Sequence, residues 1–189
     1  ALHFAGQIMA DTPNGRLHKQ LVDTGKAAQV FEFGLKGYAP GLQMIGAIVK
    51  NGEPTAPVRD AITAAMEDFY QSPPSNEELE RVRRNYANQV EKILNDHEKI
   101  GVALSESIAL GDWRLLFQSR ERAKNVTSDQ VAAAVKKYFR RDNRTVGTYL
   151  PEDQLQRAEI PVAPTSVEVL KDFKASEQVA TSEAFDPSQ

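Results

Sequence analysis

Residues 27–52 carry the sharpest change of hydrophobic period in the chain, and that change limits the fold more than any other feature. In "AAQVFEFGLKG" (27–37), Val30, Glu32, Gly34 and Lys36 alternate with Phe31, Phe33 and Leu35. A period of two places these sets on opposite faces of a strand, whereas a helix would scatter both around its axis. "YAPG" (38–41) is a turn, and "LQMIGAIVKNG" (42–52) is a second strand. Strands joined by so short a connection pair antiparallel.

The segments around this pair read as helices. Leu2, Phe4, Ala5, Ile8 and Met9 recur at helical spacing, and "DTPNG" (11–15) breaks that helix. "RLHKQLV" gives a second short helix, ended by Gly25. Val58, Ile62, Ala65, Met66 and Phe69 line one face of a helix that runs to about Tyr70 and stops before Pro73 and Pro74. Ser75 opens the next helix with Glu78 three residues on, a capping box, and Leu79, Val82, Tyr86, Val90, Ile93 and Leu94 form its apolar stripe. "VALSESIALGD" and "WRLLFQSRERAKN" are helical in pattern. Thr127 and Gln130 make a second capping box, with Val126 and Val131 placed for a hydrophobic staple. "RTVGTYL" (144–150) reads as a third strand, closed by Pro151.

The predicted class is α+β, an antiparallel sheet with helices packed on one face. Residues 1–151 form the domain. Residues 152–189, with prolines at 161, 164 and 187, read as a linker or tail that packs on something. The chain opens inside a helix without an initiator Met, so it reads as a piece of a longer polypeptide, with a further strand expected upstream of Ala1.

Bulk properties exclude several functions. A net charge of −3 favours no polyanionic partner, so nucleic acid is not expected. The absence of cysteine removes disulfides, thiolate metal sites and a cysteine nucleophile. No apolar run approaches the roughly 20 residues that span a bilayer, and no membrane partner is expected.

The motifs yield no self-contained active site. His97–Glu98 begins like H-E-x-x-H, which sets two imidazoles one helical turn apart on one zinc. The second position is Gly101, however, and Asp96 stands where H-x-x-E-H needs Glu before a His. His97 and Glu98 therefore read as surface residues late in a helix, where a cation suits the dipole. His3 and His18 have no partner at helical spacing. Ser105 and Ser107 sit outside any G-x-S-x-G elbow. Arg81, Arg83 and Arg84 lie among Glu77, Glu78 and Glu80 and read as a solvated face with i,i+3 and i,i+4 pairs. Arg140, Arg141 and Arg144 suit a helix C-terminus. Trp113 and Phe117, four apart, read as core. No catalytic or metal-ligating residue is assigned within the chain.

Three stretches together resemble the pitrilysin/insulinase family of zinc metallopeptidases, which includes the mitochondrial processing peptidases. "NGRLHKQLVDTGKAAQVFEF" looks like the family's "s-R-L-x-x-x-L-v-x-x-x-x-A" helix running into a strand. "SPPSNEELERVRRNYANQVEKI" is similar to its "p-i-t-x-e-E-L-e-r-a-k-x-x" helix. "ERAKNVTSDQVAAAVKKYFRRDNRTVGTYLPE" looks like "i-x-x-V-T-x-e-d-v-x-x-a-a-x-k-y-l-x-x-x-n-x-t-v-g-x-l-x-P". The match runs from near Arg16 to Glu152. The resemblance implies α+β domains, two to a lobe, with the zinc-binding H-x-x-E-H in the first domain of the catalytic lobe. This chain looks like a second domain, which carries no ligands. The family's facing lobe holds substrate with Arg and Tyr in "L-R-E-x-x-G-L-x-Y". Here Val22 and Asp23 replace Arg–Glu, and Ala28 falls where the Tyr would.

The tail "SEAFDPSQ" resembles a segment between the lobes of long bacterial members, which are often exported. The resemblance thus implies a non-catalytic, chamber-forming domain of a periplasmic zinc endopeptidase. Zinc would lie in a neighbouring domain of the parent. The partners would be the other peptidase-family domains of the same chain and the parent's peptide substrates. The alternatives are a structural or inactive-partner paralogue, or a binding module unrelated to proteolysis.

Overall fold

The computed structural model describes residues 1–152, 154 and 156–174. The chain falls into two units, Ala1–Thr148 and Tyr149–Gln189. In the first, α1 (Leu2–Ala10) leads through a turn to a π-helical segment, His18–Val22. A hairpin follows, β1 (Gln29–Leu35) and β2 (Leu42–Ile48). Five helices come next: α2 (Ala56–Asp68), α3 (Asn76–Leu94), α4 (His97–Ala109), α5 (Leu115–Lys124) and α6 (Ser128–Tyr138). Short 3₁₀ turns occupy Phe69–Gln71 and Arg141–Asn143. In the second unit, α7 (Ser166–Leu170) has a capping box between Thr165 and Glu168, and Ile160, Val162 and Phe173 are exposed. The "SEAFDPSQ" segment lies outside the described residues.

The hairpin pairs antiparallel with Gln29 opposite Ile48 and Leu35 opposite Leu42, as the alternation and the turn require. The third strand expected at 144–150 does not form: the segment has no regular structure and belongs to no ladder, and Val146 and Leu150 are exposed. Alternation states what a strand would bury; it does not supply an edge to pair with. Arg144 Nη2 instead anchors the segment to α2 through Glu67 Oε1 at 2.9 Å.

The core centres on α1. Phe4, Ala5, Gly6, Ile8, Met9 and Ala10 are all buried, so this helix is covered on nearly every side. It contacts β1, β2, α3 and α6. Its apolar residues meet Leu17, Leu21, Val30, Val58, Phe69, Leu79, Val82, Val131 and Val135 in one cluster. A helix apolar all round must be interior.

Two capping boxes set the starts of the helices around it. Ser75 Oγ accepts from the Glu78 amide at 3.2 Å, and Glu78 Oε2 accepts from the Ser75 amide at 2.9 Å. Thr127 and Gln130 reproduce this at α6, with Val126 and Val131 buried beside them, and Ser128 Oγ donates to the Pro74 carbonyl at 2.8 Å.

Glu78 has a second partner. Arg16 Nε and Nη2 donate to its two oxygens at 2.7 and 2.8 Å, while Nη1 donates to the Ser72 carbonyl at 2.7 Å. The guanidinium also lies 4.9 Å from the centre of the Phe69 ring. Burial pushes the Glu78 carboxyl up, but the hydrogen bonds from Arg16 and Ser75 outweigh it and hold the group below its ordinary 4.5.

A carboxylate also sits under the hairpin. Glu32 projects from β1 toward α1 with its side chain 12% exposed. Gln7 Nε2 and Gln43 Nε2 each donate to it at 2.6 Å, and His3 Nδ1 is 3.9 Å away. Burial lowers the His3 imidazole pKa; Glu32 opposes this, while Lys36 and the Ala1 amino group add to it. Gly6 is what lets α1 approach so closely. A Cβ there would stand 2.8 Å from Glu32 Oε2 and 2.9 Å from Gln43 Nε2.

Two predictions follow from these joints. Arg16→Ala leaves Glu78 half-buried without its charge partner and should cost about 2–3 kcal/mol in urea unfolding. Because the folded-state pKa of Glu78 is depressed, its contribution is present above 4.5 and is lost as pH falls through the folded value. The variant should therefore lose less stability than the parent sequence over that acid range. Gly6→Ala should cost about 1–3 kcal/mol through crowding of the Glu32 cluster, and Gly6→Ala combined with Glu32→Ala should recover part of that loss.

Candidate functional site

The residues that sequence reading tested for chemistry are dispersed. His97 does not end a helix; it begins α4, and the break lies before it, at Asn95–Asp96. Asp96 is the N-cap, with Oδ1 accepting from the Glu98 and Lys99 amides at 3.1 Å each. Its carboxyl lies below the ordinary range, chiefly through the hydrogen bond from the Lys99 side chain. An Asp that directly precedes a helical run is a stronger signal for a start than His is for an end, and Glu98 suits the positive end of the dipole. His3 belongs to the Glu32 cluster. His18 lies between Thr12 Oγ1 and Asp23 Oδ1, each 3.4 Å from a ring nitrogen. Among the described residues no three His, Asp or Glu side chains group so as to hold a metal ion.

The serines are occupied by their own helix. Ser105 Oγ donates to the Val102 carbonyl at 2.9 Å, and Ser107 Oγ, in a buried residue, donates to the Ala103 carbonyl at 2.8 Å. Trp113 and Phe117 are not core: their rings meet edge to face at 5.8 Å, and Trp113 is 52% exposed. The pair satisfies itself at the surface, where four-residue spacing alone cannot distinguish it from a core pair.

The first arginine cluster also differs from a fully solvated face. Arg83 pairs with Glu80 and donates to the Val126 carbonyl, tying α3 to the start of α6. Arg81 turns inward, its Nε 3.6 Å from Asp11 Oδ2 at the end of α1. Only Arg84 is exposed without an ion-pair partner among the described residues. The expected pairing within α3 holds for Arg83 with Glu80, three residues apart, whereas Glu78 is committed to Arg16.

What the fold does present is a surface. On the hairpin face away from α1, Phe33 lies opposite Met44 and Leu35 opposite Leu42, with Ile48 farther along β2. These five residues are 46–54% exposed. Phe31 lies across Gly46, its direct partner; a Cβ at Gly46 would stand 2.4 Å from the ring. The result is a low apolar face without charge between two uncovered strand edges of the hairpin. Monomeric proteins seldom leave such patches open without a use for them. Sequence reading did not show which face would be open. In β2 both faces carry apolar residues, so only Glu32 could have marked the inner one, and a carboxylate normally signals the outer.

Known proteins share this fold. The family model described as the peptidase M16 inactive domain matches residues 1–86. A comparison with curated proteins found no match. Among solved structures, the inactive peptidase domain of a candidate zinc protease from Bordetella parapertussis is 43% identical. The alignment covers 84% of this chain and 85% of that one, with a TM-score of 0.75. A candidate zinc protease from Bordetella pertussis Tohama I is 42% identical over 80% of this chain and 83% of that one, with a TM-score of 0.74. A protease from Helicobacter pylori shares the fold at 14% identity and a TM-score of 0.67, covering 74% of this chain and 34% of that one. With a family model, extensive identity and a common fold all in agreement, this chain belongs to the M16, or pitrilysin-type, peptidase family as a copy of its inactive domain.

Proposed function

We propose that this chain is a chamber-forming, non-catalytic domain of a zinc metalloendopeptidase. The observation that carries the reading is the uncharged hairpin face, with Phe33, Leu35, Leu42 and Met44 half exposed over a rigid, helix-backed support. A face of this kind can hold an extended peptide without chemistry of its own: its apolar side chains contact any sequence, and its strand edges offer backbone donors and acceptors. Zinc activation of water, with a Glu as base, would be supplied by a neighbouring domain of the parent that carries H-x-x-E-H. The described residues of this chain provide no ligand set for it. The partners on this reading are the other peptidase-type domains of the same polypeptide and its peptide substrates. Residues 152–189 would connect lobes. Their likeness to inter-lobe segments of exported bacterial members supports a periplasmic parent.

The chain alone should retain less than one equivalent of zinc after dialysis and should not cleave a quenched fluorescent peptide. Stoichiometric zinc, or cleavage abolished by a chelator, would overturn the proposal. A charge placed on the open face should also separate wall from core. Met44→Lys should change the stability of the isolated chain by no more than about 0.5 kcal/mol, since the site is already wet. In the intact parent the same change should slow peptide turnover; unchanged turnover there would remove the hairpin face from the substrate path.

A further inference from the structure

The helical side of the domain carries a second concave feature, with the opposite character. Between α3 and α5 lies a trough of about 300 Å³. Its floor exists because small residues face each other there: Ala87 on α3 and Ala123 on α5, beside the ring of Tyr86. Larger side chains at either alanine would close the hollow. The rim is predominantly cationic: Arg83 and Arg84 from α3 and Arg120 and Lys124 from α5 line it with one acid, Glu80, and Arg83 also reaches the Val126 carbonyl.

The local charge does not balance. Glu80 pairs with Arg83, and Glu121 accepts from both Arg120 and Lys124, at 3.0 and 2.8 Å. Arg84 has no carboxylate. Four cations thus share two acids around one hollow, in a chain whose net charge is −3. Like charges held together repel, most strongly where an apolar floor keeps water from screening them. The cost is relieved when an anion enters. Tyr86 fits the same picture: its hydroxyl pKa is raised by burial, so it stays a neutral donor at the edge of the floor.

We propose that the α3–α5 trough is a docking site for an acidic peptide segment of a partner polypeptide, with carboxylates on the cationic rim and small apolar side chains on the alanine floor. A lone oxyanion would use the rim and leave the apolar floor wet. A nucleic acid would need a basic surface far longer than this one. A peptide in which carboxylates and small apolar groups alternate uses both parts of the trough.

The test is fluorescence anisotropy of a fluorescein-labelled peptide of alternating Glu and Ala, titrated at low salt with the full chain. The chain should bind saturably, and added NaCl should weaken binding steeply. Arg84→Glu with Arg120→Glu, at one exposed and one half-buried position, should reduce affinity by at least about tenfold with the helical circular dichroism unchanged. Arg59→Glu on α2, remote from the trough, should leave affinity as it was. Ala87→Leu should weaken binding without altering charge, because it fills the floor. The proposal is overturned if the peptide does not saturate, if the two reversals leave affinity intact, or if inorganic phosphate competes as well as the unlabelled peptide does. The last result would make the rim a small-anion site.

Discussion

The paired hydrogen bonds of Arg16 to Glu78 hold this domain together at its least regular point. Between α1 and the hairpin the chain runs through a turn and a short π-helical segment. Between α2 and α3 it runs through a 3₁₀ turn and two prolines. Arg16 bridges the two irregular stretches: its fork grips Glu78, one amine group holds the Ser72 carbonyl, and its face covers Phe69. Glu78 meanwhile closes the capping box of α3. One carboxylate thus sets both where α3 begins and where the segment after α1 lies. A bidentate guanidinium can do this because its donors are fixed in a plane; lysine in the same place would hold one oxygen and release the carbonyl.

That joint leaves α1 free to serve as the centre of the fold rather than as an outer layer. The consequence appears at the hairpin, whose polarity is inverted. Glu32, the one acid of β1, faces the interior, while Phe33 and Leu35 face solvent. Burying a carboxylate costs several kcal/mol unless its oxygens are bonded. Here two amide donors and a nearby imidazole meet it, and Gly6 is the residue that makes room. A sheet arranged for stability alone would exchange these faces. The arrangement is intelligible if the open face has work that needs apolar contact and no charge.

Much of this was legible in the sequence, and the exceptions share a cause. Both capping boxes, the hairpin and the helix starts at Asn76 and Ser128 are local signals, read from residues within a few positions of one another. The third strand fails because pairing is not local: nothing within 144–150 dictates which edge it would join, and the hairpin edges stay uncovered among the described residues. The Arg81–Arg84 cluster was read as pairing within its own helix. Arg83 does, with Glu80 three residues before it, but Arg81 turns to Asp11 on another element, and Glu78 is held by a residue 62 positions away. His97 was misplaced by a single boundary, where Asp96 outranked the charge preference used to judge it. The polarity of the hairpin was hidden because β2 offers apolar residues on both sides. The family resemblance, by contrast, rested on combined local motifs, and the solved relatives agree with it.

Each candidate group is already committed to structure: Ser105 and Ser107 to their own helix, His18 to the loop around it, Asp96 to an N-cap, Glu78 to Arg16. A catalytic group must be held in place yet keep one bonding position for substrate. These side chains are engaged by neighbours in the fold, which is the condition of residues that fix architecture. The surfaces left over are different in kind, an uncharged strand face and a cationic trough on the helical side. Both have the chemistry to contact a polypeptide, and among the described residues neither gathers metal-ligating side chains. Under the proposed chamber role, a domain built this way would act by holding and enclosing, so its effect on a parent enzyme would fall on which peptides are retained rather than on the bond-breaking step.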